Sequence, residues 1–310
     1  MNIGPAISVI IPLYNEEERI LNCLSSVTKQ CIKDIEILVV DDVSIDNSVN
    51  IVSELASKDK RVKLICHAQN LGQGEARNTG IRQSSGQYIF FLDSDDFITR
   101  DGLKTLYEIA TKYDSDIVIG KTISEVEVDG NYIRGAKYTV DLETYHDLIY
   151  NHSVWNKLFK RSFLSQNRIF FEPPKYGEDI LFSLRTNMMA NSISITTKST
   201  YNYTWLGQVE NVSKNKVTNA RDNIIKTLLL VEENCSQSLI HDMRCKVARN
   251  AFSVMPRVTS VYDRSQIREY LKPWHEILSL MPDSVFSNIP EKHSKFCQSV
   301  IHEKYLEAYD

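Results

Sequence analysis

The chain has 310 residues, 42 % hydrophobic and 25 % charged, a balance that excludes disordered, collagen-like and disulfide-stapled proteins. Its 36 Lys and Arg against 40 Asp and Glu leave a formal charge of −4, the wrong sign for a chain that tracks nucleic-acid phosphates, so no nucleic-acid partner is expected. The six cysteines stand at least eight residues apart, which rules out CxxC-type zinc or redox motifs, and no apolar run approaches the roughly 18 residues of a membrane span.

In chain order, short and nearly all-apolar runs at 7–11, 35–40, 62–66, 88–92 and 116–119 predict strands buried on both faces. Between them, 17–30, 47–58, 74–83 and 101–112 carry apolar residues at three- and four-residue steps, as Leu103, Leu106, Tyr107 and Ala110 do, and read as helices. That alternation predicts an α/β fold with a doubly wound, mostly parallel sheet, its ligands bound beyond the carboxyl ends of the strands. Past residue 120, Asp129-Gly130 between the alternating segments 122–128 and 131–138 signals a hairpin. Residues 141–150 and 154–165 are expected to be helical, followed by a Pro173-Pro174 break and a helix from about 178 to 190. From 216 onward the pattern is helical, interrupted at Pro256, Pro273, Pro282 and Pro290.

Carboxylates gather at the strand ends. Asp41-Asp42 closes the second strand, where two adjacent charges repel unless a donor or cation engages one. Asp93-Ser94-Asp95-Asp96 closes the fourth and offers hard oxygens suited to Mg²⁺ or Mn²⁺. Gly72-x-Gly74 looks like half of a dinucleotide fingerprint, but Arg77 occupies the third glycine position and the first strand lacks a glycine loop, which argues against a dehydrogenase. Arg77 reads better as a cation directed into the acidic crevice. Glu178-Asp179 opens a helix, a position that favours carboxylates for structural reasons as well.

Together and in this order, SVIIPLYNEE at 8–17, ILVVDDVSID at 37–46, NLGQGEARNTGI at 70–81, GQYIFFLDSDD at 86–96, VWNKLFKR at 154–161 and YGEDILF at 176–182 resemble the family 2 glycosyltransferases, inverting enzymes of the GT-A fold. The resemblance implies a catalytic domain over 1–215, with a nucleotide half at 1–120 and an acceptor half at 121–215, followed by a helical region at 216–310. It implies that Pro12, Tyr14 and Glu16 line the nucleoside pocket, that Asp42 bonds the base, and that Arg77 and Asp93 face the nucleotide sugar. Asp95 is implied as the metal ligand for Mn²⁺ or Mg²⁺ and Asp179 as the catalytic base, with Trp155, Asn156, Lys157 and Glu178 bordering the sugar and acceptor. Val43 departs from the glycine usual in the family's DDGS turn. No histidine stands near 196–215 to complete a metal site, which leaves the third ligand open.

The implied reaction is transfer of a sugar from a UDP-sugar to a glycan or lipid-linked oligosaccharide acceptor in bacterial surface-polysaccharide synthesis. One base suffices if a cation stabilises the diphosphate leaving group. A sugar-nucleotide pyrophosphorylase should show a glycine-rich loop after its first strand, and Pro12–Glu17 has none. A non-catalytic carbohydrate- or nucleotide-binding protein is the alternative. The expected location is cytoplasmic, at most peripheral on the inner membrane face. Arg244, Lys246 and Arg249 near Val247, Ala251, Phe252 and Val254 permit a peripheral membrane contact, although a solvated helix face is the favoured reading; a second copy of the chain is the other candidate partner of the C-terminal helices.

Overall fold

The structure, a computed structural model, describes residues 4–124, 153–172 and 178–204, individual positions between 221 and 249, and residues 263–302. The chain divides into two compact units, Met1–Gln208 and Val209–Asp310. The hairpin expected at 122–138, the helix expected at 141–150, Pro173-Pro174, Pro256, Lys246 and the 251–254 stretch fall wholly or mainly outside the described residues.

The first unit is built on β1 (Ile7–Leu13), α1 (Ile20–Thr28), β2 (Ile35–Asp41), α2 (Ser48–Lys58), β3 (Val62–Cys66), α3 (Gln73–Gln83), β4 (Tyr88–Phe91), β5 (Phe97–Ile98), α4 (Gly102–Tyr113), β6 (Ile117–Ser124), β7 (Lys157–Lys160), α5 (Arg161–Gln166), α6 (Glu178–Met189) and β8 (Ile193–Tyr203). The eight strands form one mixed sheet in the order β3-β2-β1-β4-β7-β6-β8-β5. Pairs β1–β2, β2–β3, β1–β4 and β6–β8 are parallel; β4–β7, β6–β7 and β5–β8 are antiparallel. β1 and β2 are buried throughout, and their side chains alternate between two cores: Val9, Ile11, Ile37 and Val39 on one face, Ile10 and Leu38 on the other. That period-two division is what a strand covered on both faces requires. Pro12 is tolerated because it lies past the last β1–β4 pair, Ile10↔Phe91.

The order of strand addition reverses between the parallel neighbours β1 and β4, since α1 leads from β1 to β2 on one side and α3 carries the chain back to β4 on the other. A crevice at the carboxyl ends of β1 and β4 follows from that topology. Two glycines fit α3 into place. A methyl group at Gly80 would stand 2.3 Å from Ile10 Cγ2, so the helix reaches β1 only without one, and at Gly74 it would stand 2.9 Å from Glu178 Cγ.

The structure corrects the sequence reading at several points. Lys157–Lys160 is strand β7, not part of a helix; Leu158 and Phe159 enter opposite cores. A run this short satisfies helical and strand periods equally, and the free edge of β4 decides. β3 is an edge strand with partly exposed positions rather than a fully buried one. β5 and the long β8 were not anticipated, although the Thr, Ile and Tyr of β8 carry the composition of a strand.

In the second unit the described positions from 221 to 249 are helical, followed by α7 (Arg264–Ser279), α8 (Asp283–Ser287) and α9 (Glu291–Ile301). Asp263 caps α7 by accepting from the Gln266 amide at 2.9 Å. Contrary to expectation, α7 continues through Pro273; buried Leu271, Trp274 and Leu278 offset the hydrogen bond that proline removes. Pro282 and Pro290 stand at the N-caps of α8 and α9. Val247 is buried, so this part of the helix face considered for membrane contact is covered. Among the described residues no helix is long and apolar enough to cross a membrane.

Candidate active site

The loops after β1 and β2 are laced together. The Asn15 amide donates to Ser44 Oγ at 3.0 Å, the Ile45 amide to Asn15 Oδ1 at 2.8 Å and the Glu16 amide to Ser48 Oγ at 2.9 Å. Asp41 accepts from the amides of Val43 and Ser44 at 3.1 and 3.2 Å. Val43 keeps the left-handed φ of +70° that its glycine-like position demands, an uncommon conformation for a β-branched residue. Tyr14 is half exposed at the crevice mouth, whereas Pro12 is buried in β1 and shapes the loop instead of lining a pocket.

Asp42 is held by the loop before α3. Its carboxylate is buried and accepts from the amides of Leu71 and Gly72 at 2.8 and 2.7 Å, while His67 Nδ1 lies 2.9 Å away. His67 and the Leu71 amide share Oδ1 and the Gly72 amide takes Oδ2, so Asp42 fixes the start of α3 and retains acceptor capacity on Oδ2. His67, which also contacts Thr79 Oγ1 at 2.9 Å, was missed by the sequence reading. Its signal was a titratable residue directly after a strand's carboxyl end.

Across the crevice, Arg77 on α3 is the hub. It is buried, donates to Asp93 Oδ1 at 2.7 Å and to Glu178 Oε1 at 3.4 Å, and lies 5.3 Å from the Phe171 ring centre. Burial works against its charge, but Asp93, Glu178 and Asp179 hold the guanidinium above its usual pKa. Phe171 stacks on Phe182 of α6 at 4.0 Å, and both meet Phe91 edge-on at 5.3 and 5.6 Å. This aromatic block seats the first turn of α6 and hence both carboxylates. Burial pushes Glu178 up to about 7 despite Arg77 and raises Asp179 as well.

The acidic run after β4 is not three equivalent ligands. Asp96 is buried, accepting from the Tyr201 hydroxyl at 2.6 Å and the Thr204 amide at 2.7 Å, and burial pushes it up to about 7. Asp93 has one oxygen engaged by Arg77 and by Gln73 Nε2 at 3.2 Å. Asp95 keeps 37 % of its side chain exposed, with Arg19 Nη1 at 3.7 Å; Arg19 also chelates Glu16. Glu16 therefore faces Arg19 and Asp95. Arg19 was missed, though a cation three residues after an acidic residue at a helix start is a readable pattern. Among the described residues no three His, Cys, Asp or Glu side chains group as a metal site.

Trp155 stacks against Tyr201 at 4.6 Å and Tyr203 at 5.5 Å. Asn156 and Lys157 do not border open space. Asn156 is buried and bonds Gly120 O at 3.2 Å, tying β7 to β6. Lys157 is wholly buried and donates to Ser153 O; burial lowers its pKa to about 7, opposed by Asp179.

This crevice, on this sheet, places the chain in the GT-A class of nucleotide-diphospho-sugar transferase folds. The model of glycosyl transferase family 2 matches residues 8–173, and the chain belongs to that family. It is 34 % identical over 217 residues to the putative glycosyltransferase EpsH of Bacillus subtilis, covering 64 % of this chain and 60 % of EpsH. It is 29 % identical over 235 residues to the poly(ribitol-phosphate) β-N-acetylglucosaminyltransferase TarS of Staphylococcus aureus, covering 73 % of this chain and 40 % of TarS. It thus spans less than two thirds of either relative. The crystal structure of TarS 1–349 with UDP aligns with a TM-score of 0.77 at 23 % identity, over 98 % of this chain and 88 % of that one. The mannosyltransferase PcManGT of Pyrobaculum calidifontis, in complex with GDP-Man and Mn²⁺, aligns at 0.58 and 14 % identity, over 100 % and 89 %. These structural likenesses speak to the fold alone.

Proposed function

We propose that the chain is a metal-dependent inverting glycosyltransferase that moves one sugar from a UDP-sugar to a hydroxyl of a glycan acceptor in bacterial surface-polymer assembly. The carrying observation is that Asp93, at the end of β4, and Glu178, beside Asp179 at the start of α6, are held on one buried cation, Arg77. Residues 1–215 supply this chemistry, in the cytoplasm.

Asp179 takes the proton from the acceptor hydroxyl as that oxygen attacks the anomeric carbon opposite the diphosphate, so an α-linked donor gives a β-linked product. Burial raises its pKa, which strengthens it as a base, and the Arg77 charge works against that rise. Glu178, Arg77 and Asp93 position the sugar, and Tyr14 offers its ring to the base. The UDP complex of TarS supports a uridine nucleotide.

A divalent cation fits the donor set. The partly exposed Asp95, with the oxygen of Asp93 that Arg77 leaves free, supplies the one or two carboxylates that Mg²⁺ or Mn²⁺ takes alongside substrate phosphates. When bound, it supplies charge neutralisation for the diphosphate. The Mn²⁺ of PcManGT supports this choice.

A panel of UDP- and GDP-sugars assayed for nucleotide release with Mn²⁺ or Mg²⁺ tests the reading. Release from a UDP-sugar that rises with acceptor and is lost in Asp95→Ala is expected. If no nucleotide sugar binds or reacts, the transferase reading fails.

A further inference from the structure

The carboxylates of the crevice lie close enough to feel one another's charge: Glu16 with Asp95, Asp95 with Asp93, and Asp93 with Glu178 and Asp179. A nucleotide diphosphate brings further negative charge into this group, and like charges repel. Arg77 offers little to such a ligand, being 3 % exposed and shared between Asp93 and Glu178.

Arg19, directly before α1, is placed differently. Its Nε and Nη2 close on the two oxygens of Glu16 at 2.6 Å each, whereas Nη1 stands 3.7 Å from Asp95 Oδ2, beyond hydrogen-bonding distance. The Glu16 chelate thus fixes one edge of the planar guanidinium and leaves the other with donors to give. The Arg19 side chain is 29 % exposed and, with Asp95, lines a cavity of about 950 Å³ between α1 and β5, which leaves room for a ligand at that edge. An ion pair three residues apart accounts for Arg19 and Glu16, but not for a spare edge set beside the residue proposed to hold the cation.

We infer that Arg19 is a further catalytic residue, whose free edge takes an oxygen of the sugar-bearing phosphate of the donor and stabilises the charge that develops there as the diphosphate leaves. This rests on the transferase reading and deepens it. The acceptor oxygen bonds to the anomeric carbon and its proton passes to Asp179. The bond from that carbon to the phosphate oxygen breaks, and its electron pair stays on the departing oxygen. A charged, planar donor bonds the phosphate more strongly as that negative charge grows. Glu16 is the positioning residue that holds the guanidinium in place.

Calorimetric titration of the full chain with UDP and with UMP, in Mg²⁺, separates this role from a structural one, because UMP lacks the phosphate concerned. Arg19→Gln is expected to weaken UDP about tenfold or more and UMP about twofold at most, and to lower kcat for sugar transfer about tenfold at saturating donor. Arg19→Lys, which keeps the charge without the fork, should fall between wild type and Arg19→Gln. UDP held by Arg19→Gln as tightly as by wild type, or UDP and UMP weakened equally, overturns the inference alone. Mg²⁺ binding more tightly to Arg19→Gln in the absence of nucleotide, with UDP affinity unchanged, overturns it in favour of a residue that guards Asp95. A wild-type chain that binds neither nucleotide overturns the transferase reading, and the inference with it.

Discussion

The two walls of the crevice are held by different physics. On the β1–β2 side, Asp41 and Asp42 are neutralised by backbone amides and His67, so geometry is set by short hydrogen bonds. On the α3–α6 side, Asp93 and Glu178 share one guanidinium, and desolvation leaves Glu178 and Asp179 with raised pKa values. The amides on that wall do not titrate near neutrality. A wall built from competing buried charges has protonation states that respond to its neighbours, which is what proton transfer requires.

The sharpest way to separate the walls is Asp179→Asn. It is expected to lower kcat about 10²–10⁴-fold with UDP affinity nearly unchanged, because the base acts on the acceptor hydroxyl. Transfer kinetics beside calorimetry read both quantities, and a variant retaining wild-type turnover removes Asp179 from that role.

Next comes Arg77→Met, which strips the cation from buried Glu178 and half-buried Asp93. Breaking a buried pair from one side costs about 3–5 kcal/mol, so a large drop in denaturation midpoint is expected. Stability unchanged would mean that the carboxylates are satisfied by other groups.

A smaller effect is in pH. Burial raises Glu178 and Asp96 to about 7 in the folded chain, from ordinary values of 4.5 for Glu and 3.8 for Asp. The folded state therefore holds their protons more tightly. Their contribution is fully present below the unfolded values and lost as pH rises through about 7. Lys157, lowered to about 7, opposes this only as pH climbs from there toward 10.5. Urea denaturation at pH 5 and pH 7 is expected to give the higher stability at pH 5 from these two groups, with a shallower slope in Glu178→Gln. An unchanged slope contradicts the shift.

Smallest is Val43→Gly on the amide-held wall. Relief of a left-handed β-branched residue, less the entropy of an added glycine, should stabilise the chain by about 1 kcal/mol in thermal melts. Destabilisation would show that the valine side chain contributes packing that outweighs its strain.

Strands β1, β2, β3, β4 and β6 and helices α1, α2, α3 and α4 were legible because each is a run of one period, as β1 and α4 illustrate. β7 was not, because four residues between a proline-free helix pattern and α5 carry no period of their own; β4's unpaired edge selects the strand. Asp93 was placed by its strand end and Arg77 by its charge near the acidic crevice, whereas Glu178 and Asp179 joined them only through the family resemblance. The roles of Asp42 and Asp96 were not legible, since sequence shows a carboxylate but not the donors that fold around it: Leu71, Gly72, Tyr201 and Thr204 are 29 to 108 residues away in the chain. Asn156 and Lys157 failed for the same reason, since burial is a property of the folded sheet.

The two glycines of α3 have a further consequence. Gly80 is pressed on Ile10 and Gly74 on Glu178, on different sides of the helix, so α3 acts as a spacer of fixed length and fixed rotation between the sheet and the base-bearing helix. Inserting one residue between them would turn Arg77 by about 100° relative to one contact and swing it off Asp93. Engineering of a new sugar specificity therefore has latitude in the rim loops, and almost none along this rod.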